Sequence, residues 1–115
     1  MKLITAIIRR GRLEAVEENL KRAGVERLNV VKTKGYGEYR NFFAGDWMAE
    51  EVRIDVFTRQ HKVASITSAI MEGAHTGEPG DGIVAVLPVD QLFLVRTKAE
   101  ATPDEFWPKP VRSGP

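Results

Sequence analysis

The stretch Thr76-Gly77-Glu78-Pro79-Gly80-Asp81-Gly82 gathers residue types that could do chemistry. Gly77, Gly80 and Gly82 let main-chain amides turn outward into a nest, a concavity that holds anions. The stretch runs directly into an apolar segment, Ile83 to Leu87, and Arg96 stands on what reads as the neighbouring strand. Together they read as a phosphate site. The two histidines are His61 and His75. His75 with Asp81 could form an acid/base pair, but no activated nucleophile stands beside them. There is no cysteine, so one chain offers at most a mixed histidine/carboxylate metal site, and no metal ligand is assigned.

A second stretch, residues 35–50, shows no clean period and carries Gly35, Gly37 and Gly45 beside Tyr36, Tyr39, Phe42, Phe43 and Trp47. Long loops without secondary structure of their own tend to be functional. Exposed aromatics are favoured contact anchors, so Phe42, Phe43 and Trp47 read as a partner-binding set. The alternative is that Phe43 and Trp47 pin the loop to the body, and both readings stand.

The elements that must position these loops repeat. Leu3 to Ile8 is rich in β-branched residues and reads as a strand. Leu13, Val16, Leu20 and Ala23 then recur at helical steps, with acids early, bases late and Gly24 as a stop. Arg27 to Thr33 reads as a second strand. Fifty residues on, Ile54, Val56 and Phe57 answer Ile4, Ala6 and Ile7. Arg59 answers Arg9, and Val63, Ile66 and Ile70 answer Leu13, Val16 and Leu20. A second helix is expected over 62–74 and a further strand over Ile83 to Leu87. A duplicated βαβ unit predicts an α+β, ferredoxin-like fold: an antiparallel sheet with two helices on one face. Pro88-Val89-Asp90 is expected to turn into a fifth strand, Gln91 to Arg96, before an irregular tail. The chain divides into a domain at 1–97, with a long loop at 35–50 and the glycine-rich loop at 76–82, and a tail at 98–115.

Ile83 to Leu87 and Leu92 to Val95 are continuous apolar runs, the mark of strands covered on both sides. Two helices cover one face only. Association with further copies of the chain is the expected cover; the alternative is the tail folding back.

With 115 residues, 43% hydrophobic and 29% charged, the composition is that of one globular domain. A net charge of +1 provides no field for nucleic acid or anionic membranes. No apolar run is long enough to span a bilayer, so direct membrane insertion is not expected and the compartment is read as cytoplasmic. RNA recognition on this fold needs aromatics on the open sheet, and Leu28-Asn29-Val30-Val31-Lys32 has none.

Lys34-Gly35-Tyr36-Gly37, the Thr76-Gly77-x-x-Gly80-Asp81-Gly82 stretch and Val95-Arg96-Thr97 together resemble the PII signal-transduction family. The resemblance runs to about Thr97. It implies a non-enzymatic, nitrogen-regulatory homotrimer that binds adenine nucleotide in clefts between subunits. It also implies a loop that reaches a partner protein, a transporter or a metabolic enzyme. By position, Gly35 and Gly37 would border the nucleotide, Gly80, Asp81 and Gly82 would wrap its phosphates, and Ile7, Asn29 and Phe57 would lie near its base. Arg96 would pair with phosphate oxygens from the adjacent subunit, a charge-assisted contact worth about 1.5–3 kcal/mol.

Departures from the family pattern are as informative. Glu38 and Tyr39 stand where the family has an Arg-Gln pair, Ile83 where it has a lysine, and Leu94 where it has a second arginine. Losing those cations should penalise a triphosphate most, so ADP or AMP is expected in preference to ATP. Glu51 replaces the lysine that grips 2-oxoglutarate and would repel that dianion. A different small anion or a metal at the interface is the alternative effector. In the tail, Phe106 and Trp107 are expected to dock near the cleft rather than stay solvated.

Overall fold

The structure, a computed structural model, describes residues 1–35 and 49–102. Strands β1 (Lys2–Arg9), β2 (Asn29–Gly35), β3 (Ala49–Thr58) and β4 (Gly82–Pro88) form one antiparallel sheet in the order β2-β3-β1-β4. Helices α1 (Leu13–Arg22) and α2 (Val63–Ala74) each follow a single 3-10 turn, Arg10–Arg12 and Gln60–Lys62. Both turns and both helix starts therefore keep the fifty-residue offset. The crossing connections put β1 and β3 at the centre, and this is the expected ferredoxin-like sheet.

Burial follows the period of two on the strands. Ile4, Ala6 and Ile8 of β1 and Val52, Ile54 and Val56 of β3 are buried, meeting Val16 and Leu20 of α1 and Ile66 and Ile70 of α2. Full burial of each large aliphatic side chain stabilises the fold by about 1.5–3 kcal/mol. The end of α1 shows why Gly24 is required. Gly24 sits at φ +87°. Its N–H donates to the carbonyl of Lys21 and the N–H of Val25 to that of Leu20, both at 3.0 Å. That is a Schellman closure, with Val25 buried as its apolar seal.

The helices touch at a glycine. A Cβ on Gly73 would lie 2.8 Å from the Cα of Val16, so the lost helix propensity of glycine is outweighed by close approach. Around this point Arg12 Nε donates to the Gly73 carbonyl at 2.8 Å and Asn19 Nδ2 to that of Ala69 at 3.2 Å. Both carbonyls gain a partner across the helix pair.

The expectation of a fifth strand over Gln91 to Arg96 is corrected. Only β5 (Phe93–Leu94) forms, and it pairs with β6 (Ala99–Glu100) in a separate two-stranded sheet. The chain turns through 95–98, where Lys98 takes φ 59° and its N–H donates to the Leu94 carbonyl at 2.9 Å. Ala101 N–H to the Leu92 carbonyl, 2.8 Å, closes the hairpin. The first residues of the expected irregular tail are thus a strand. The second strand also begins and ends two residues later than expected. The tail positions Phe106 and Trp107 lie outside the described residues.

Thr58 occupies the place in the second repeat that Ile8 holds in the first, and both are buried. Its Oγ1 has no hydrogen-bond partner among the described residues. Thr58→Val is expected to raise stability by about 1 kcal/mol in urea titration, because it removes a hydroxyl desolvated without compensation. Gly73→Ala is expected to lower it by about 1–3 kcal/mol through overpacking against Val16.

Candidate functional site

Ala74 ends α2, and the chain reaches β4 through a loop held by one carboxylate. Asp81 Oδ2 accepts from the N–H of Thr76 at 2.8 Å and of Gly77 at 2.9 Å. Its Oδ1 accepts from the Thr76 hydroxyl and, at 3.3 Å, from Arg9 Nε. Arg9 Nη2 also donates to the Pro79 carbonyl. Thr76 Oγ1 in turn accepts from Glu78 N–H at 3.1 Å.

The nest is therefore partly filled from within. The amide of Gly77, one of the glycines expected to turn toward an external anion, turns onto Asp81 instead, as does that of Thr76. Gly77, Gly80 and Gly82 all have positive φ, and a Cβ on Gly82 would sit 1.8 Å from the Ile7 carbonyl oxygen. Only glycine permits β4 to start there. The Thr76 hydroxyl and then its amide hold the Asp81 carboxyl far below its ordinary value of 3.8; desolvation opposes them, and the Gly77 amide and Arg9 add lesser help.

Ile7 lies on the sheet face away from the helices, opposite Arg53 on β3 and Ile83 on β4. The loop and Arg9 cluster at the end of the sheet where β1 finishes. Gly35, opposite Ala49, closes β2 at the same end. Asn29 and Phe57 are elsewhere. Phe57 faces Leu3, whereas Gly82 faces Ile8, five residues further along β1, or about 17 Å. Asn29 is on the opposite edge strand, about 14 Å across the sheet from β4. With Glu26, Arg27, Leu28 and Asp55, Asn29 and Phe57 line a groove of about 420 Å³. The residues expected at the nucleotide thus fall at two places on one chain, a loop end and a groove end, with Ile7 and Phe57 about 14 Å apart along the strands.

Arg96 is not beside the loop on a neighbouring strand, as expected. It is exposed in the 95–98 turn of the β5–β6 hairpin, with β4 pairing only with β1 among the described strands. Glu51 sits opposite Arg9 and Thr33 and lines a groove of about 200 Å³ with Arg10, Lys32, Thr33, Lys34 and Glu50. Gly37, Phe42, Phe43 and Trp47 lie outside the described residues. His75 is exposed, its Nδ1 3.8 Å from an Asp81 oxygen whose hydrogen bonds go elsewhere.

Residue typing missed three participants. Asp55 accepts from Thr5 Oγ1 at 2.7 Å and Arg53 Nε at 3.2 Å on the open face. Arg9 was visible only as the repeat partner of Arg59, and Arg10, paired with Glu50 at 2.9 Å, had no signal beyond its charge. The open face keeps its apolar strip: Ile83 is 62% exposed and Leu87 41%.

A model of the family described as Nitrogen regulatory protein P-II matches residues 1–99. The chain belongs to the P-II family. It is 32% identical over 104 residues to the P-II protein of Azospirillum brasilense and 34% to that of Porphyra purpurea, in each case 84% of this chain and 93% of the relative. It is 31% identical to the Arabidopsis thaliana P-II homolog, of which it spans about half, 52%. The crystal structure of Arabidopsis thaliana PII bound to citrate superposes with a TM-score of 0.73 at 30% identity, covering 87% of this chain and 84% of that one. P-II proteins are signalling regulators, so this chain is a regulatory protein and the His75/Asp81 enzyme reading is set aside. Among the described residues, no helix is long and apolar enough to cross a membrane.

The depressed Asp81 carboxyl fixes a sign for pH dependence. Ionised Asp81 stabilises the fold fully above the ordinary carboxylate value of 3.8. That contribution shrinks as pH falls below this value and is gone below the depressed one. The gap in urea midpoint between wild type and Asp81→Asn should therefore stay constant from pH 7 to about pH 5, begin to narrow between pH 4 and pH 3, and close only below the depressed value.

Proposed function

We propose that three copies of the chain assemble through their open sheet faces and hold an adenine nucleotide at each seam, ADP or AMP in preference to ATP. The occupied seam regulates a partner protein, a transporter or metabolic enzyme, through the long loop at 35–50 or the tail at 98–115. The observation that carries this reading is the separation of the two half-sites. A loop end with Gly80, Asp81, Gly82 and Ile7, and a groove end with Asn29 and Phe57, become one pocket only when two copies meet.

The exposed apolar strip of β4 supports the assembly, since Ile83 and Leu87 are left uncovered by the two helices. In the loop, the main chain of Gly80 to Gly82 would take the phosphates, with Gly35 and Gly37 bordering them. An exposed Arg96 on a hairpin that, among the described strands, pairs only with itself supports a contact to phosphates held by the adjacent copy. Asp81 contributes as the brace of the loop, because its oxygens already receive Thr76, Gly77 and Arg9.

Ile83, Leu94 and Glu38 provide no cation, so a γ-phosphate gains little attraction to offset its desolvation. Phe42, Phe43 and Trp47 are the proposed contacts to the partner. The Arabidopsis relative bound to citrate favours one second reading, a small polyanion other than nucleotide at the same seam.

Calorimetric titration with AMP, ADP, ATP, citrate, 2-oxoglutarate and bicarbonate, run beside native mass measurement, separates these readings. A three-chain mass with heat from ADP or AMP, and weaker heat from ATP, is the expected result. Heat from citrate alone would favour the second reading. A single-chain mass that takes up no nucleotide would overturn the proposal.

A further inference from the structure

Consecutive residues at the end of β1 grip two different parts of the chain. Arg9 donates from Nε to Asp81 Oδ1 at 3.3 Å and from Nη2 to the Pro79 carbonyl, which fastens the loop entering β4. Arg10 donates from Nη1 to Glu50 Oε2 at 2.9 Å, one residue after β3 begins. Neighbouring residues of an extended segment send their side chains to opposite sides, so a single peptide unit carries both grips. Arg9 itself is extended, at φ −62° and ψ 137°, and Arg10 opens the 3-10 turn.

The strand register adds a main-chain link between the two grips. Arg9 faces Glu51 across the β1–β3 ladder, and Glu51 adjoins Glu50, which Arg10 holds. We infer that Arg9 and Arg10 are positioning residues that couple the glycine-rich loop to the root of β3, so that what occupies the loop is felt where β3 begins. An anion on the main chain of Gly80 to Gly82 attracts the Arg9 guanidinium, which already shares the Asp81 carboxylate. The Arg9 main chain is fixed by the ladder. Its rearrangement is therefore taken up at the turn starting with Arg10, and the Arg10–Glu50 pair bears the load.

Coupling of this kind is reciprocal: weakening the root must weaken the loop, and the converse. Its size is bounded by the weakest part. The Arg10 and Glu50 side chains are 52% and 61% exposed, and an exposed pair contributes at most about a fivefold effect.

The inference leans on the nucleotide reading only for the identity of the ligand, so a ligand-free test comes first. In amide exchange on the full chain, Asp81→Asn should speed exchange at Glu50 to Val52 by about two- to fivefold. Arg10→Ala should speed exchange at Thr76 and Gly77 by a similar factor, and Ile54 in the core should be unmoved in both. The double variant should fall short of the product of the singles. If each substitution loosens only its own segment, the coupling is overturned. A titration then follows with ADP. Arg10→Ala and Glu50→Gln should each weaken it about two- to fivefold, with Arg10→Lys recovering part of the loss. Wild-type affinity in both variants would also overturn the coupling. A wild-type chain that takes up no ADP would count against the nucleotide reading instead, with the exchange result still deciding the coupling.

Discussion

Two helices of ten and twelve residues can cover one face of a four-stranded sheet and no more, and most of what distinguishes this chain follows from that shortage. On the covered face the side chains of β1 and β3 are sealed, with Ile4, Ile8, Val52, Ile54 and Val56 at 0–1% exposure. The opposite face carries Leu3, Ile7, Phe57 and Ile83 beside Thr5, Asp55 and Arg53. Water is a poor solvent for the first group and a good one for the second. A face so divided favours a partner that covers the apolar strip while leaving the Thr5–Asp55–Arg53 hydrogen bonds intact.

At the sheet's loop end, a carboxylate replaces what an external ligand would otherwise supply. Without Asp81, the amides of Thr76 and Gly77 would have to find water or collapse inward. With it, four donors of the loop and β1 are satisfied within the chain, and that part of the ordering cost is met during folding. The arrangement has an electrostatic consequence as well. Asp81 brings a negative charge close to the proposed phosphate position, and Arg9 is the cation that offsets it. This pairing leaves the charge at the loop nearly balanced, and the proposed preference for a ligand of lower charge rests on that balance.

The duplicated framework was legible because its period is long and its register strict. Ile4 and Ile54, Val16 and Ile66, Leu20 and Ile70 are all fully buried, at positions that the fifty-residue offset links. Gly24 was legible because a Schellman closure asks for positive φ, which few residues but glycine meet. The fifth strand was not. Leu92 to Val95 is an unbroken apolar run, which reads the same whether both faces are covered or one is left bare. In the chain, Phe93 and Val95 are 58% and 92% exposed. The deciding feature was local, a left-handed Lys98 that reverses the chain, and lysine carries no signal for that conformation. In the site, glycines announced the loop, but Asp81 was read as one of its anion-facing residues rather than as its brace. A carboxylate can accept from four directions, and composition does not say which donors will arrive.

A division of the proposed site between two ends of one sheet would explain why so small a chain builds it by association. Pocket walls made within one domain must be spared from the core, and a domain of this size has little to spare. Here the loop end is formed by the turn into β4 and the groove end by the approach to β2, two places the fold must have in any case. Bringing copies together, as proposed, would convert these unavoidable edges into a pocket without enlarging the chain. The same geometry makes loop shape and assembly interdependent. Gly82, pressed against the Ile7 carbonyl oxygen, fixes where β4 begins and hence where Ile83 and Leu87 present their apolar surface. In the proposed assembly a change in the loop would then be a change at the contact between copies, and an effector held there would act on the assembly as directly as on the chain that holds it.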